Sequence, residues 1–251
     1  MHIQLSGQTI LVTGASRGIG EAIATQLAAS GARVAVHYGG ARERGEALAA
    51  RIGEGARAFG ADLADAAQCA RLWSEVEGAF GRIHAVVNNA GIAIESPLST
   101  DPAWLDHWNA TMAVNLTATG LLCRCAIGHF LHNGGGRIVN IASRAAFRGD
   151  TPDYLAYAAS KAGVVALTRS IARGFGKDGI QAFVVAPGFT RTGMSQAFID
   201  QYGEDFVTRD LALDRLTEPT DIAPTVAFLL SGHADHATGA SIDINAGSYV
   251  R

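Results

Sequence analysis

Residues 9–20 read TILVTGASRGIG, a short apolar run that passes directly into a turn with three glycines. The run at 9–13 is typical of a strand buried on both faces. After the turn, Ile23, Leu27 and Ala28 recur on one helical face until Gly31, which favours the end of a helix. The stretch therefore predicts a strand, a glycine-rich turn and a helix in immediate succession.

This glycine-rich turn has the features of a dinucleotide-binding turn. Glycines let the backbone approach the phosphates, and the first turn of the helix offers unpaired N–H groups to a pyrophosphate. The spacing is Gly-x-x-x-Gly-x-Gly and not the commoner Gly-x-Gly-x-x-Gly. An ordinary strand-to-helix turn is the alternative, which three glycines at the junction disfavour. The predicted cofactor contacts here are Gly14, Ser16, Arg17, Gly18, Ile19 and Gly20.

The end of the second predicted strand, residues 33–37, bears on the choice of nicotinamide cofactor. About 20 residues past the glycines, an enzyme that uses NAD usually has an acid for the ribose 2′-hydroxyl. This chain has Tyr38 and two glycines there, followed by Arg42 and Arg44. Arginines without an acid favour a 2′-phosphate, so Arg17, Tyr38 and Arg42 are expected to contact NADP(H), which is favoured over NAD(H). Alternatively, Arg42 and Arg44 only cover a solvated helix.

The remaining pattern alternates strands with helices. Further strands are predicted at 57–61, 85–87, 137–141, 181–186 and 241–244. Helices are predicted at about 65–80, at about 101–131 with a break, at 157–175 and up to about residue 230. Pro219 and Pro224 bracket the start of the last helix, so Pro224 is expected near its first turn.

This alternation predicts one α/β domain over residues 1–251. The expected fold is a doubly wound Rossmann-type domain, with a parallel sheet of about seven strands flanked by helices. The connection at 189–216 is long for a compact domain, so it is expected to be a substrate loop that covers a site.

Tyr157 and Lys161 are four residues apart, and they lie on one face of the predicted helix. A free tyrosine has a pKa near ~10 and exchanges protons poorly at neutral pH. A neighbouring ammonium favours the phenolate and is expected to lower that pKa toward the working range. The pair can then act as a general acid/base on an alcohol or carbonyl oxygen. In isolation, a half-buried tyrosine beside a solvated lysine is the simpler interpretation.

Composition excludes several classes of protein. Of the 251 residues, 48% are hydrophobic and 17% are charged, which argues against disorder. A formal net charge of −3 implies no broad surface for nucleic acid or an anionic membrane. No apolar run approaches the ~18 residues of a membrane span, and the first residues have no basic region of the kind that opens a signal peptide.

The cysteines and histidines give no sign of a metal site. The cysteines are Cys69, Cys123 and Cys125. They form no Cys-x-x-Cys pair and are expected to be reduced, mostly buried thiols in a cytoplasmic protein. Two pairs of histidines are three apart, His129 with His132 and His233 with His236. Because no carboxylate or cysteine cluster completes either pair, we expect surface residues and no metal.

Together, these motifs resemble the short-chain dehydrogenase/reductase family over essentially the full chain. The matching pieces, in order, are Thr13-Gly14-x-x-x-Gly18-x-Gly20, Asp62, Asn88-Asn89-Ala90-Gly91, Asn115, Ser143, Tyr157-x-x-x-Lys161 and Pro187-Gly188. Each piece alone is weak, but each stands at the end of a predicted strand or on a predicted helix. Their order and placement make the resemblance specific.

The resemblance implies a role for each matching residue. Tyr157 would be the acid/base, Lys161 would lower its pKa and hold the nicotinamide ribose, and Ser143 would hydrogen-bond the substrate oxygen. Asn115 would hold a water that links the lysine to solvent. The implied cofactor contacts are Asp62 and Leu63 for adenine, Asn89, Ala90 and Gly91 for the adenine-side ribose region, and Pro187, Gly188, Thr190 and Thr192 for the nicotinamide end, besides Tyr157 and Lys161.

Hydride transfer between NADP(H) and a small carbonyl or secondary alcohol is the function that these residues favour. The alternative is a 3-oxoacyl-[acyl-carrier-protein] reductase, which the C-terminal residues 238–247 also resemble. An acidic carrier protein would require basic residues near the cleft, whereas the connection at 189–216 has five acids against three arginines. Arg144 and Arg148, just after Ser143, could bind an anionic small substrate or could pair with nearby acids, Asp150 and Asp153.

A remote alternative from another class is a non-catalytic NADP(H)-binding sensor. Such a protein has no need of the proton-transfer residues, and this chain has all of them. Members of the family are usually homotetramers, packed through the long helices and the last strand. The resemblance therefore implies a homo-oligomer, and the apolar C-terminal end at 248–250 is compatible with it.

Overall fold

All strands of the sheet run in the same direction. A computed structural model describes residues 3–53, 55–98 and 102–250. The strands are β1 Thr9–Val12, β2 Arg33–Tyr38, β3 Ala56–Gly60, β4 Ala85–Asn88, β5 Gly136–Ile141, β6 Ile180–Pro187 and β7 Ser241–Ile244. They form one seven-stranded sheet in the order β3-β2-β1-β4-β5-β6-β7. Every pairing is parallel, which confirms the predicted doubly wound α/β fold.

Helices cover both faces of the sheet. They are α1 Gly18–Ala29, α2 Arg42–Ile52, α3 Ala66–Phe80, α4 Trp104–Met112, α5 Ala118–His132, α6 Ala145–Arg148, α7 Leu155–Phe175, α8 Gly193–Tyr202, α9 Glu204–Thr208 and α10 Pro219–Leu230. The helices α1, α2 and α10 pack on one face, and α3, α5 and α7 pack on the other. The strands are therefore covered on both sides, as their continuous apolar sequences predict.

The period of two along each strand divides the core into two layers. Ile10 and Val12 point to one face, where they pack with Ile23 and Leu27 of α1. Leu11 lies between them in sequence and points to the other face, among residues of α3 and α5. Each such fully buried aliphatic side chain stabilises the fold by about 1.5–3 kcal/mol. Both layers hold the strand ends in fixed positions relative to one another.

The predicted long helix with a break is two helices joined by a π-helical segment, Ala113–Thr117. Its predicted start at Asp101 lies outside the described residues. Trp104 and Trp108 stack on each other with ring centroids 5.3 Å apart.

The helical segment Trp104–His132 could cross a membrane by length and composition alone, with a mean hydropathy of 1.3. The expectation that no segment reaches that length is therefore wrong. Its face toward the sheet is buried, and the core helix of a globular domain passes the same test.

Two other expectations need correction. Pro224 lies inside α10 and not in its first turn, because Pro219 begins the helix. Pro224 has no N–H to donate, so one hydrogen bond of α10 is missing. The buried side chains of Ile222 and Val226 keep the helix packed on the sheet at that point. His129 is buried and not on the surface, since Glu77 and the Ile83 N–H provide partners for its ring nitrogens.

The connection at 189–216 has secondary structure of its own. It contains two helices, α8 and α9, and so is more ordered than a loop. Ile199, Val207 and Leu216 form a small apolar cluster of their own, against which Phe189 and Leu211 pack. This local core gives the connection a defined position above the sheet edge.

Candidate active site

The predicted site residues meet at the carboxyl edge of the sheet. The glycine-rich turn follows β1, and Asn89, Ala90 and Gly91 follow β4, which is the neighbour of β1. The chain turns in opposite directions from these two strands, so a crevice opens between them. Ser143 follows β5 and Pro187 ends β6, which places both along the same edge.

The glycine-rich turn is so close to its surroundings that side chains would not fit. Gly14 has a φ of +61°, and a Cβ there would lie 2.9 Å from the Cα of Ala90. A Cβ on Gly20 would overlap the carbonyl oxygen of Gly14. Gly18, with a φ of +57°, is the first residue of α1 and directs the start of that helix at the crevice. This cradle of bare backbone at a helix N-terminus fits a pyrophosphate.

Side chains from two neighbouring strands hold the turn in place. Thr13 Oγ1 accepts hydrogen bonds from the backbone N–H groups of Asn89 and Ala90, at 2.9 and 3.0 Å. The Asn89 amide donates to the carbonyl oxygens of Thr13 and Gly14, at 2.9 and 3.2 Å. The Asn89 side chain thus positions the cradle, and its amide nitrogen is engaged with backbone.

The predicted adenine-side residues lie along the ends of β2 and β3. The Tyr38 ring packs against the two glycines Gly45 and Gly60, where a Cβ would overlap it. Leu63 is buried, whereas Asp62 is exposed and accepts a hydrogen bond from the Ala64 N–H at 2.9 Å. Tyr38 therefore has a packing role of its own, besides any contact with a cofactor.

Arg17 and Arg42 are both exposed. Arg42 lies near Tyr38, whereas Arg17 Nη1 lies 4.0 Å from where a Cβ of Gly193 in α8 would be. Arg42 is the first residue of α2, and its Nε donates to Glu46 Oε1 at 2.8 Å. The hydrogen bond that Arg42 donates to Glu46 raises the pKa of Arg42 further above its usual range. Arg42 therefore remains cationic, but an acid one helical turn away offsets part of its charge.

The segment after β6 crosses the crevice toward the glycine-rich turn. A Cβ on Gly188 would lie 2.6 Å from the Cα of Asn245, so the two backbones are in direct contact. Thr190 is buried, and Thr192 caps α8 through a capping box with Ser195. The Thr192 methyl lies 3.3 Å from where a Cβ of Gly18 would be. Residues 187–192 are thereby brought close to the pyrophosphate cradle.

Asn115 and Lys161 meet beneath Gly91. The Asn115 side chain accepts from the Ile92 N–H and donates to the Ile92 carbonyl, both at 2.8 Å. It also donates to Ser160 Oγ at 3.1 Å, and so joins the segment after β4 to α7. Lys161 is buried, and its Nζ donates to the Ile141 carbonyl at 2.9 Å. Burial lowers the pKa of Lys161 to about 8, because the charged ammonium is deprived of water.

Ser143 and Tyr157 form the proton-transfer pair. Ser143 Oγ accepts a hydrogen bond from the Ala145 N–H at 3.1 Å, which orients the hydroxyl at the start of α6. Tyr157 lies on α7 within hydrogen-bonding reach of Ser143, and Lys161 Nζ is 5.8 Å from the centre of its ring. Tyrosine, serine and lysine thus converge on one spot at the sheet edge.

The expectation that Lys161 lowers the pKa of Tyr157 is not met in the chain by itself. Burial raises the pKa of Tyr157 above its ordinary value, and the opposing effects of the Ser143 hydrogen bond and the Arg144 charge are smaller. The lysine does not offset this burial, because it lies beside the ring and directs its ammonium to the Ile141 carbonyl. The charge of Arg144 does lower the pKa of Tyr157, and the Tyr-x-x-x-Lys motif gave no sign of this second cation.

Arg144 and Arg148 share a partner from the long connection. Arg148 Nη1 donates to Asp210 Oδ2 at 2.9 Å, and Arg144 Nη1 lies 3.6 Å from the same oxygen. The sequence left open whether these arginines bind an anionic substrate or pair with Asp150 and Asp153, and in this structure the acid that they meet is Asp210. That contact joins residues 62 apart in sequence, so no local pattern indicates it.

Sequence reasoning also missed His37. Its Nδ1 accepts a hydrogen bond from the Gly14 N–H at 3.0 Å, and its Nε2 faces the Ala61 carbonyl at 3.0 Å. A polar residue near the end of an otherwise buried strand was the available signal, since such a residue requires partners.

The fold and this edge define a class: a dinucleotide-dependent oxidoreductase, with a glycine-rich cradle on one side and a tyrosine–serine–lysine group on the other. The family model described as enoyl-(acyl carrier protein) reductase matches residues 14–248. The chain belongs to the short-chain dehydrogenase/reductase family, whose members here are dehydrogenases and reductases of hydroxyl and carbonyl groups. It is therefore an enzyme of that reaction class.

Two curated relatives cover nearly the whole chain. The 3-oxoacyl-[acyl-carrier-protein] reductase FabG of Staphylococcus aureus is 39% identical over 97% of this chain and 98% of its own. The D-threitol dehydrogenase of Mycolicibacterium smegmatis is 37% identical over 99% of this chain and 95% of its own.

Three solved structures share this fold over nearly the whole chain. A dehydrogenase/reductase from Sinorhizobium meliloti 1021 has a TM-score of 0.92 at 38% identity, over 99% of this chain and 98% of its own. A protein provisionally described as an NAD(P)-dependent gluconate 5-dehydrogenase, from Beutenbergia cavernae with bound NADP, has a TM-score of 0.91 at 34% identity, over 99% of both chains. The 3-ketoacyl-(acyl-carrier-protein) reductase of Brucella melitensis, complexed with NADH, has a TM-score of 0.90 at 29% identity, over 98% of this chain and 100% of its own.

Proposed function

We propose that this enzyme is an NADP(H)-dependent carbonyl reductase or alcohol dehydrogenase of a small substrate, with Tyr157 as its acid/base. The observation that carries the proposal is the convergence of Ser143, Tyr157 and Lys161 at the strand ends beside the glycine cradle. A bound nicotinamide supplies or accepts the hydride. The residues of the chain then need only orient the substrate oxygen and transfer its proton.

In the reductive direction, the chain supplies one proton. The Ser143 hydroxyl donates a hydrogen bond to the carbonyl oxygen and polarises it. As the carbonyl carbon gains the hydride, the Tyr157 hydroxyl transfers its proton to the oxygen, which gives the alcohol and leaves a phenolate. Lys161 and Arg144 are the cations near that phenolate. Oxidation of an alcohol is the reverse, with the phenolate as base.

The preference for NADP(H) has support from the adenine side of the cleft. Residues 38–40, at the end of β2, include no acid to pair with a ribose 2′-hydroxyl. Arg42 is exposed near Tyr38 and suits a 2′-phosphate, and Arg17 is an exposed cation of the glycine-rich turn. Relatives in this family have been crystallised with NADP and with NADH, so the preference has to be measured for this chain.

The test is NADPH and NADH oxidation with a panel of small ketones, together with polyol oxidation by NADP+. Tyr157→Phe removes the proton donor and keeps the ring, so turnover should fall at least about 10³-fold while NADPH still binds. Turnover that survives this change would refute the role of Tyr157. Bound NADPH with no turnover of any compound would favour a non-catalytic sensor.

A second candidate is a 3-oxoacyl-[acyl-carrier-protein] reductase, favoured by the 39% identity to the S. aureus enzyme. The charges of the connection weigh against a docking surface for an acidic carrier. Arg191 pairs with both Glu204 and Glu218, and Arg215 pairs with Asp221, so these cations are already opposite acids. Acetoacetyl-CoA tests this candidate: brisk NADPH oxidation would place it first.

The enzyme is further proposed to be a cytoplasmic homo-oligomer. Cys69 and Cys123 are buried free thiols, which suits a reducing compartment. Large apolar side chains are exposed on or next to the long helices, namely Leu105, Leu131 and Leu155. Burial of these side chains between subunits supports assembly through the helices, with a homotetramer as the form to be tested by sedimentation.

A further inference from the structure

We propose that Arg144 and Arg148 bind a free carboxylate of the substrate, in the place that the Asp210 carboxylate takes in this structure. The proposal rests on the proposed function, and it narrows the substrate to a hydroxy or oxo acid. It separates such an acid from a carrier-bound acyl group, whose carboxyl carbon is tied up as a thioester.

Arg144 is held rigidly beside the proton-transfer pair. It follows Ser143 directly, and its backbone N–H donates to the Pro187 carbonyl at 2.9 Å. The α6 helix starts at the next residue and is braced where Phe147 stacks on Tyr249, with ring centroids 6.4 Å apart. The guanidinium is also close enough to Tyr157 to lower the pKa of its hydroxyl. An anion bound to Arg144 would therefore lie next to the reacting oxygen.

The guanidinium of Arg144 is already desolvated but is not fully hydrogen-bonded. Its side chain is only 16% exposed, and burial lowers its pKa. Within the described part of the chain, Nη1 is buried and donates no hydrogen bond. A buried donor without an acceptor is costly, so a ligand that supplies an acceptor there gains more than it would at a solvated arginine.

Asp210 shows which chemical group suits this place. Its Oδ2 accepts from Arg148 at 2.9 Å but stays 3.6 Å from Arg144, beyond hydrogen-bonding distance. Asp210 is 60% exposed and lies on the connection that covers the site, so its ion pairs are weak and a competing carboxylate can displace it. Two arginine forks match the planar carboxylate better than a neutral hydroxyl.

The charge balance also fits a single anion. Arg144 and Arg148 face two acids, Asp210 and the exposed Asp150, whose charge acts on both Arg144 and Tyr157. Displacement of Asp210 leaves two cations with one acid and a net charge of +1. One substrate carboxylate restores neutrality.

The experiment compares acids with neutral partners of the same skeleton in complexes that cannot react. D-Gluconate and D-glucitol are titrated into the enzyme with NADPH, and acetoacetate and methyl acetoacetate into the enzyme with NADP+, with binding followed by saturation-transfer NMR. The acid should bind about 10- to 100-fold more tightly than its neutral partner in at least one pair. Equal binding of acid and neutral compound in both pairs would overturn the proposal.

Variants then assign the preference to these residues. Arg144→Met should abolish the preference for the acid, and Arg144→Lys should retain part of it, because the charge remains but the fork does not. Asp210→Asn should tighten binding of the acid about three- to tenfold, since the competing carboxylate is gone. A merely structural Asp210 would give no such gain. Arg82→Met, at an exposed arginine before β4, is the matched control and should change nothing.

Turnover separates this proposal from the proposed function. If Arg144→Met lowers kcat/KM for the acids at least about tenfold more than for their neutral partners, both stand. Turnover of neutral and acidic compounds with equal efficiency in both enzymes leaves the reductase and overturns the carboxylate site. Arg144-dependent binding of acids without any turnover leaves the site and overturns the reductase.

Discussion

The imidazole of His37 holds the first glycine of the dinucleotide cradle, because its Nδ1 accepts a hydrogen bond from the Gly14 N–H at 3.0 Å. The ring is therefore the neutral tautomer with its proton on Nε2, which donates to the Ala61 carbonyl at 3.0 Å. Burial lowers the pKa of His37, since the charged form loses water. A buried histidine thus links the shape of the cofactor site to pH.

We expect acid to weaken cofactor binding through His37. Protonation places a hydrogen on Nδ1, which then faces the Gly14 N–H and can no longer accept from it. Because the pKa is lowered on folding, the unfolded chain takes up the proton first as pH falls below about 6.5. The neutral ring of His37 therefore contributes its full stabilisation of the folded state above that pH. This contribution is lost as pH falls toward the folded pKa of His37.

The measurement is NADP+ affinity and the free energy of unfolding between pH 7.5 and 5, for wild type and His37→Gln. The glutamine cannot titrate. The ratio of the wild-type to the His37→Gln affinity for NADP+ should therefore fall by at least about threefold from pH 7.5 to pH 5. His132→Gln, at an exposed histidine on α5, is the control. Parallel pH profiles for wild type and His37→Gln would exclude His37 as the acid-sensitive group.

Gly20→Ala should disrupt the cradle. The new Cβ would overlap the Gly14 carbonyl oxygen, a backbone atom that can move only with the whole turn. We expect a loss of about 1–3 kcal/mol in the free energy of unfolding and at least tenfold weaker NADPH binding. Gly78→Ala is the matched control, because a Cβ there meets nothing within 4 Å in α3. That change should be neutral or stabilise by up to about 1 kcal/mol. If both substitutions changed the free energy of unfolding and NADPH affinity equally, close packing of Gly20 against Gly14 would not be what the cradle depends on.

Arg42 and Glu46 should have opposite effects on NADPH affinity. Arg42→Ala removes a cation near the expected 2′-phosphate, so NADPH should bind about three- to tenfold more weakly while NADH is unaffected. Glu46→Gln removes the acid that now pairs with Arg42 at 2.8 Å, so NADPH should bind about twofold more tightly. Fluorescence titration with both cofactors measures this. Tighter binding of NADH than of NADPH by the wild type would reject the preference itself.

Much of the fold could be predicted because its signals are local. The strand β1 is a short apolar run next to three glycines, and both features act within twelve residues. The pair Tyr157 and Lys161 likewise follows from helical spacing alone. Such patterns depend on backbone geometry and on burial of both sheet faces, which are properties of short stretches.

What could not be predicted depends on contacts between distant residues. His129 is buried because Glu77 and Ile83, 52 and 46 residues away, satisfy its ring nitrogens. Asp210 meets Arg148 only because the connection folds back over the sheet edge. The π-helical segment around Asn115 joins α4 to α5 at the predicted break, where Asn115 contacts Ile92 and Ser160. In each case tertiary structure supplies the partner that decides the local state.

Lys161→Met should stabilise the protein while it destroys activity. Burial lowers the pKa of Lys161 to about 8, so at pH 7 the folded chain carries a buried ammonium, which the methionine avoids. Because the folded pKa lies below the unfolded value, this penalty is complete below pH 8 and is relieved as pH rises from about 8 toward 10.5. We therefore expect a higher Tm for Lys161→Met at pH 7, by a few degrees, and a difference that shrinks by pH 10. At pH 7, kcat should be at least about 10²-fold lower, since the cation beside Tyr157 is gone. A gain in Tm that does not change with pH would mean that hydrophobic packing, and not the buried charge, separates the two proteins.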